Sequence, residues 1–540
     1  MKSWPRVGPS GTGRPRRFEL WNSLIVISAA LAACGGGSDG NAPASAPVSA
    51  RASAHASEYV AKAHCGPNDK PETALQGQVP ASMRPTGFKG FNCNLELVGQ
   101  SAGDGASWQH AQFSNRDRGE PAKRCSYYDT SSNTVGRTHL GTAVIDVTDP
   151  THPKQTASLT TTAMLDPWES LKVNERRQLL AADNGTYGGF AATTGGPQLD
   201  IYDLSGDCAY PQLMTNAAVV VPGGKDRALV GHEGEWAPDG LTYYFGDLWN
   251  RQYSAIDTTN PMQTKYIATF KPNVAGASVH GLSVSDDGNR AYLVSADFTG
   301  FHVGSPTPNN GLIIVDTSEV QARKANPVIR EISRLFWDDG AAGQHTIITK
   351  IGGKPYVIFA DETGPGGFFT ISNWKQACDM GLPPFPMARI IDISDEKNPR
   401  IVSKLKLEIH NPANCSKIAP DLPGLRDYVY GTHYCSVDDM QDASILACGM
   451  FSSGIRVYDI RNPLRPKEIA YYNPPAATSV RPGSQVNFYN GAVNPDSCSA
   501  HIYLDKVKGQ LWTTCQDNGF LALKFTNGVW PFQSDSEPDE

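Results

Sequence analysis

The stretch His280-Gly281-Leu282-Ser283-Val284, Asp286-Asp287-Gly288, Ala291-Tyr292-Leu293-Val294-Ser295 and Leu312-Ile313-Ile314-Val315-Asp316 decides how the rest of the chain is read. Two short runs rich in β-forming residues flank Asp-Asp-Gly. That is hairpin chemistry, because Asp tolerates and Gly readily adopts the positive φ of a tight turn. Asp297 opens a loop, residues 312–316 form a third strand and residues 328–335 a fourth. No helical periodicity interrupts them, so the unit is four antiparallel strands.

The unit recurs. Its third strand, a β-branched run ending in Asp, reappears as Ala143-Val144-Ile145-Asp146, Leu199-Asp200-Ile201-Tyr202-Asp203, Ser254-Ala255-Ile256-Asp257, Arg389-Ile390-Ile391-Asp392 and Arg456-Val457-Tyr458-Asp459. The Asp residues are 57, 54, 59, 76 and 67 positions apart, and most copies then turn through Pro, as in Asp149-Pro150, Asn260-Pro261, Asn326-Pro327, Asn398-Pro399 and Asn462-Pro463. Pro after Asn or Asp fixes φ and cannot extend a ladder, so it ends the strand. Four-stranded units at this period predict a β-propeller.

A last unit starts at His501, continues through Leu511-Trp512-Thr513-Thr514 and residues 520–525, and lacks a fourth strand. Asn94-Leu95-Glu96-Leu97-Val98 is an orphan strand ahead of the first unit. If the orphan supplies the missing outer strand, no sheet edge is left at the seam. The expectation is an all-β, seven-bladed β-propeller of four-stranded antiparallel blades, closed by an N-terminal strand and spanning residues 94–526. The pattern resembles the LVIVD-repeat propeller lipoproteins and, more loosely, WD-repeat blades. That resemblance implies the fold and carries no single activity.

Outside the ring, Lys2, Arg6, Arg14, Arg16 and Arg17 precede the apolar run Leu24-Ile25-Val26-Ile27-Ser28-Ala29-Ala30-Leu31, which is too short to span a membrane and reads as a secretory signal. It ends in Leu31-Ala32-Ala33-Cys34, which resembles the bacterial lipobox, with Cys34 the lipidated residue. Residues 1–33 are then a signal peptide, the Gly/Ser/Ala/Pro-rich 34–60 a flexible tether, 61–93 a lead-in and 527–540 an acidic tail. Gly35 offers no acidic retention signal, so a Gram-negative outer-membrane lipoprotein is expected, with the membrane met through its lipid anchor. The whole chain of 540 residues carries a net charge of −7; five basic residues and one acid leave with the signal, so 42 basic face 53 acidic residues and the charge becomes −11. Nucleic acid is disfavoured as a partner. Without Cys34 the chain has ten cysteines and no Cys-x-x-Cys, which in an oxidising compartment reads as structural disulfides. A hairpin turning at Lys506-Val507 sets Cys498 opposite Cys515, and a similar register brings Cys435 near Cys448. The pairing of Cys65, Cys93, Cys125, Cys208, Cys378 and Cys415 stays open.

Where the innermost strand of each blade begins, the chain places His232, His280, His345, His433 and His501, with Glu169 at the same position of the second unit. The first unit is ambiguous among Ser107, Trp108 and His110. Five of twelve histidines at one repeat position is not random placement. Imidazoles and a carboxylate converging on a channel mouth could hold zinc, copper or iron. The other reading starts from Asp183, Asp247, Asp297, Asp361 and Asp517, 14 to 17 residues later, with Gly449 breaking the series. In WD-repeat blades a His and an Asp so placed share a structural hydrogen-bond network, and around a metal the same Asp residues would be outer partners of the ligands. A thiolate from Cys435 or Cys448 beside His433 is a further option. Long loops gather on the histidine side, including 362–387 with Phe368, Phe369 and Trp374, which suits either an aromatic contact surface or a lid. No Gly-x-Ser-x-Gly, His-Glu-x-x-His, phosphate-binding loop or haem-attachment motif is present. The primary expectation is an anchored scaffold whose top face binds a small-molecule, glycan or protein ligand; the alternative is a metal-dependent enzyme, such as an oxidoreductase, using the histidine ring.

Overall fold

Each copy of the repeated Asp closes its third strand in the same way. The Oδ1 atoms of Asp146, Asp203, Asp257, Asp316, Asp392 and Asp459 each accept the backbone N–H two residues on, at 2.8–3.0 Å. This side-chain turn imitates a backbone turn and leads the chain into the outer strand, which explains why the repeat is so regular at that residue. The computed structural model describes residues 59–84, 87–115, 122–130, 139–183, 198–219, 231–248, 250–300, 308–368, 370–423, 428–477 and 495–532. The expected signal peptide, Cys34, the expected tether up to residue 58 and residues 533–540 lie outside them.

Seven antiparallel sheets form, one per unit, in the predicted order. In the fourth, Ser278–Val284, Arg290–Ala296, Asn310–Asp316 and Arg330–Trp337 pair successively from the inside outward. The seventh is completed by Leu95–Ser101, which pairs with Gly519–Phe525. The predicted closure is therefore made, and the ring has no open seam. Both faces of each blade meet a neighbouring blade, so third strands read as unbroken apolar runs instead of alternating. Leu312–Val315 are at most 1 % exposed. Tyr292, Val294, Leu312 and Ile314 of the fourth blade pack on Val357, Phe359 and Ile391 of the fifth. Each such side chain contributes roughly 1.5–3 kcal/mol.

Three features differ from the sequence expectation. The sixth blade has five strands, because Phe91–Cys93 of the lead-in pairs with the outer strand Lys467–Asn473. Arg456, buried behind that edge, explains the docking: it reaches Glu72 of the lead-in at 2.5 Å and Glu468 at 2.7 Å, so lead-in and blade neutralise one charge together. The tether ends earlier than expected, since Val60 is buried and its N–H donates to the Lys406 carbonyl at 2.8 Å. Similarly, Trp530 folds back on Phe525, 4.8 Å between rings, so apolar burial holds residues 527–532 against the last blade.

Five disulfides are present. Cys435–Cys448 and Cys498–Cys515 are the two cross-strand pairs expected, and Cys65–Cys93, Cys125–Cys208 and Cys378–Cys415 are the remaining three. With both sulfurs beside His433 oxidised, a thiolate ligand from Cys435 or Cys448 is ruled out. Among the described residues, no helix is long and apolar enough to cross a membrane.

Candidate metal centre

The innermost strands bring their first residues to one end of the central channel, and there Glu169 is the hub. Its Oε2 lies 3.1 Å from His232 Nε2 and 3.4 Å from His280 Nε2, and its Oε1 lies 3.2 Å from His433 Nε2. Glu362 joins through Oε2, 3.6 Å from His433 Nε2 and 3.9 Å from His280 Nε2. All five residues are buried.

The opposite ring nitrogens show which way the imidazoles are turned. His433 Nδ1 donates to the Ser499 carbonyl at 2.9 Å, and His280 Nδ1 donates to the Gln344 carbonyl at 2.8 Å, with Glu233 Oε2 3.3 Å away. A carbonyl can only accept, so Nδ1 holds the proton in both rings and a neutral ring presents its Nε2 lone pair to Glu169. Lone pairs facing a carboxylate are stable only if a proton or a metal ion lies between them. Without a metal the proton is held: burial pulls both rings down, but the Glu169 and Glu362 carboxylates, joined at His280 by Glu233, override it, raising His280 and His433 to about 9. Burial likewise pushes Glu169 up, and the neighbouring His280, His232 and His433 more than reverse it, holding Glu169 well below the ordinary carboxylate range. Its Oε2 is nevertheless buried without an aligned hydrogen-bond donor.

Donor separations of 3.1–3.9 Å are also the edges of a coordination polyhedron. Ligands bonded at ~2.0–2.2 Å stand about 3.0–3.5 Å apart in octahedral or tetrahedral geometry. The set fits zinc or iron, which accept mixed imidazole and carboxylate ligands.

The surroundings are built to hold these side chains. A Cβ on Gly281 would come within 2.3 Å of Glu233 Oε2 and 2.6 Å of the Gln344 carbonyl, so the residue after His280 must lack one. Trp108 lies over His433 at 5.2 Å, with Trp168, Tyr428 and Phe451 packed around it. Three of these aromatics, Trp168 (φ 48°), Tyr428 (φ 62°) and Phe451 (φ 47°), have left-handed backbone. Bulky residues rarely adopt it, and each such residue stores roughly 1–3 kcal/mol, repaid by the packing around it. A cleft lined by Asn373, Trp374, Phe385, Tyr428 and Glu362 adjoins the site through Glu362. Tyr428 Oη donates to Glu362 Oε1 at 3.0 Å. Of the aromatics in this loop, Trp374 packs down as a buried side chain, Phe368 is 39 % exposed and stacks on Phe298, and Phe369 lies outside the described residues.

Two predicted members do not join. His345 turns to the Cys435 carbonyl at 3.3 Å, and His501 accepts from Lys172 Nζ at 3.0 Å. His110, the ambiguous residue of the first blade, joins them, with Nδ1 3.1 Å from the His501 carbonyl and Nε2 3.1 Å from Ser126 Oγ. Burial first, then the Lys172 charge, holds His345 and His501 well below the ordinary imidazole range, and burial lowers His110 to about 4. These rings are neutral fillers of the next layer.

The Asp series makes contacts within turns and between blades. Asp247 accepts from the Asn250 amide at 2.9 Å and Asp297 from the Thr299 amide at 2.8 Å, so both close turns in their own loops. Asp361 binds Arg389, and Asn310 Nδ2 at 2.8 Å, tying the fourth blade to the fifth. The Asp517 amide donates to Asp496 at 3.0 Å, and Asp183 accepts from Tyr243 Oη at 3.4 Å. Burial raises Asp183 well above the ordinary carboxylate value. The carboxylates that do face the rings, Glu362 and Glu233, follow Asp361 and His232 directly in the chain. Reading one column of the repeat passes over them, since each is offset by one residue.

No protein-family model matches the chain, and no curated protein matches it. Among solved structures it is similar to a 6-phosphogluconolactonase-like protein of Bacteroides uniformis, at 11% identity over 77% of this chain and 96% of the other, TM-score 0.48. It is also similar to Kuenenia stuttgartiensis hydrazine synthase, at 10% identity over 80% and 97%, TM-score 0.45.

Proposed function

We propose that the protein is an envelope-anchored metalloprotein of the LVIVD-repeat type, a metal-dependent enzyme that acts on a small molecule admitted beside Glu362. The observation that carries the reading is the convergence of three imidazole Nε2 atoms, two of them with Nδ1 committed to carbonyls, on one buried carboxylate. A bound divalent metal would supply Lewis-acid or redox chemistry there. The chain's own residues hold the ligand geometry, and the aromatic cluster keeps bulk water away. Five disulfides agree with an oxidising compartment, and the lipobox ending at Cys34 supports an outer-membrane anchor.

The test is metal analysis of untagged protein, native against His280→Ala. Stoichiometric zinc, iron, copper or manganese that falls in a variant still melting cooperatively supports the reading. Native protein that holds none, even after incubation with each, overturns it. A second reading, a ligand- or partner-binding scaffold, is favoured by Phe368, Ile371 and Met380, which are 39 %, 50 % and 42 % exposed on the fifth blade's long loop.

A further inference from the structure

The two oxygens of Glu169 do not address the same partners. Oε2 faces His232 and His280, while Oε1 faces His433, whose Nε2 also lies near Glu362 Oε2. The donor atoms that all lie within 4.8 Å of one another fall into two triples, Glu169–His232–His280 and Glu169–Glu362–His433, which share Glu169 and approach each other again where His280 Nε2 lies 3.9 Å from Glu362 Oε2. One ion with bonds of ~2.0–2.2 Å cannot reach donors more than about 4.4 Å apart, so a single ion is poorly matched to five donors divided in this way. A carboxylate that sends one oxygen to each of two donor sets has the form of a bridge.

We propose that the channel mouth is a two-metal centre in which Glu169 bridges the ions, spaced ~3.5–4 Å apart as in other paired sites. The inference rests on the metal reading above and deepens it. The first ion takes His232 Nε2, His280 Nε2 and Glu169 Oε2, two imidazoles and one carboxylate, a set suited to iron or zinc. The second takes His433 Nε2, Glu362 Oε2 and Glu169 Oε1, one imidazole and two carboxylates, a harder set suited to manganese or iron. Three protein ligands on each ion leave further positions open. Glu362 also lines the cleft, so the second ion is the one that adjoins it. An oxygen from water or from substrate would then bind across both ions.

The experiment counts ions in the untagged full-length protein, extracted in detergent, stripped with chelator and reloaded with Zn²⁺ for stoichiometry and with Mn²⁺ for electron paramagnetic resonance. Two ions per chain and a spin-coupled Mn²⁺ signal are expected. Glu362→Gln and His433→Ala should each retain one ion and show an uncoupled six-line signal, and His232→Ala should retain the other. One ion in the native chain, lost entirely in every variant, overturns the bridge and leaves the metal reading standing. No ion bound in the native chain overturns both. Because the native count needs no variant, a substitution that fails to fold does not blunt the test.

Discussion

Two layers of the same channel are built from the same residue type and behave in opposite ways. His232, His280 and His433 face Glu169 and Glu362; His110, His345 and His501 face carbonyls, a hydroxyl and the Lys172 ammonium. Carboxylates draw two upper rings up to about 9, whereas burial holds the lower rings down and neutral. The difference teaches that a repeat position places an imidazole at the channel, and the charge standing opposite decides what the imidazole is for.

The largest effect should come from exchanging single members of the two layers. Glu169→Gln removes the shared ligand, and its metal retention should fall by more than the ~10–100-fold that outer partners command. His345→Ala should keep the native metal content and lose about 1–3 kcal/mol of stability from its buried position. Metal analysis and urea unfolding of both would break the comparison if His345→Ala stripped the metal. Next in size is the lower layer's cation. Lys172 lies 3.7 Å from Glu233 and 3.6 Å from Glu235, and is 10 % exposed. Lys172→Met leaves those carboxylates uncompensated and should cost about 3 kcal/mol, read by urea unfolding.

The pH response sharpens the contrast. His110 has a folded value of about 4, below the ordinary 6.5 to which it returns on unfolding. Its neutral form is therefore favoured by folding, and that stability is complete above pH 6.5 and lost as the pH falls toward 4. Between pH 7 and 4.5 the native chain should lose about 2–3 kcal/mol through this residue, a loss His110→Gln should remove from the unfolding profile. Smallest of all should be Lys375→Ala. Its pair with Asp379 spans four residues of the helix Ile371–Asp379 with both side chains over 60 % exposed, so less than ~0.5 kcal/mol and no metal should be lost.

Much of this was legible in the chain. Asp-Asp-Gly turns, β-branched runs and the Asp that closes each third strand act within a few residues, so the blades and their number follow from local pattern. Ring closure by residues 95–101 follows from counting a missing strand, and Cys435–Cys448 and Cys498–Cys515 follow from hairpin register. His232, His280, His433 and Glu169 were found as a column. Glu362 was not, because it sits one residue past Asp361 of the column, near the end of the strand Lys354–Thr363. His345 and His501 shared the column yet turned to a carbonyl and to Lys172.

By itself, the sequence determined a seven-fold ring, its closure, its staples and the end of the channel where imidazoles gather, since those depend on backbone period and neighbours along the chain. Only the tertiary structure decided which imidazoles meet a carboxylate and which meet an ammonium. Ring orientation and charge pairing are set across blades, by residues as distant in sequence as Glu169 and His433, and no local pattern records them.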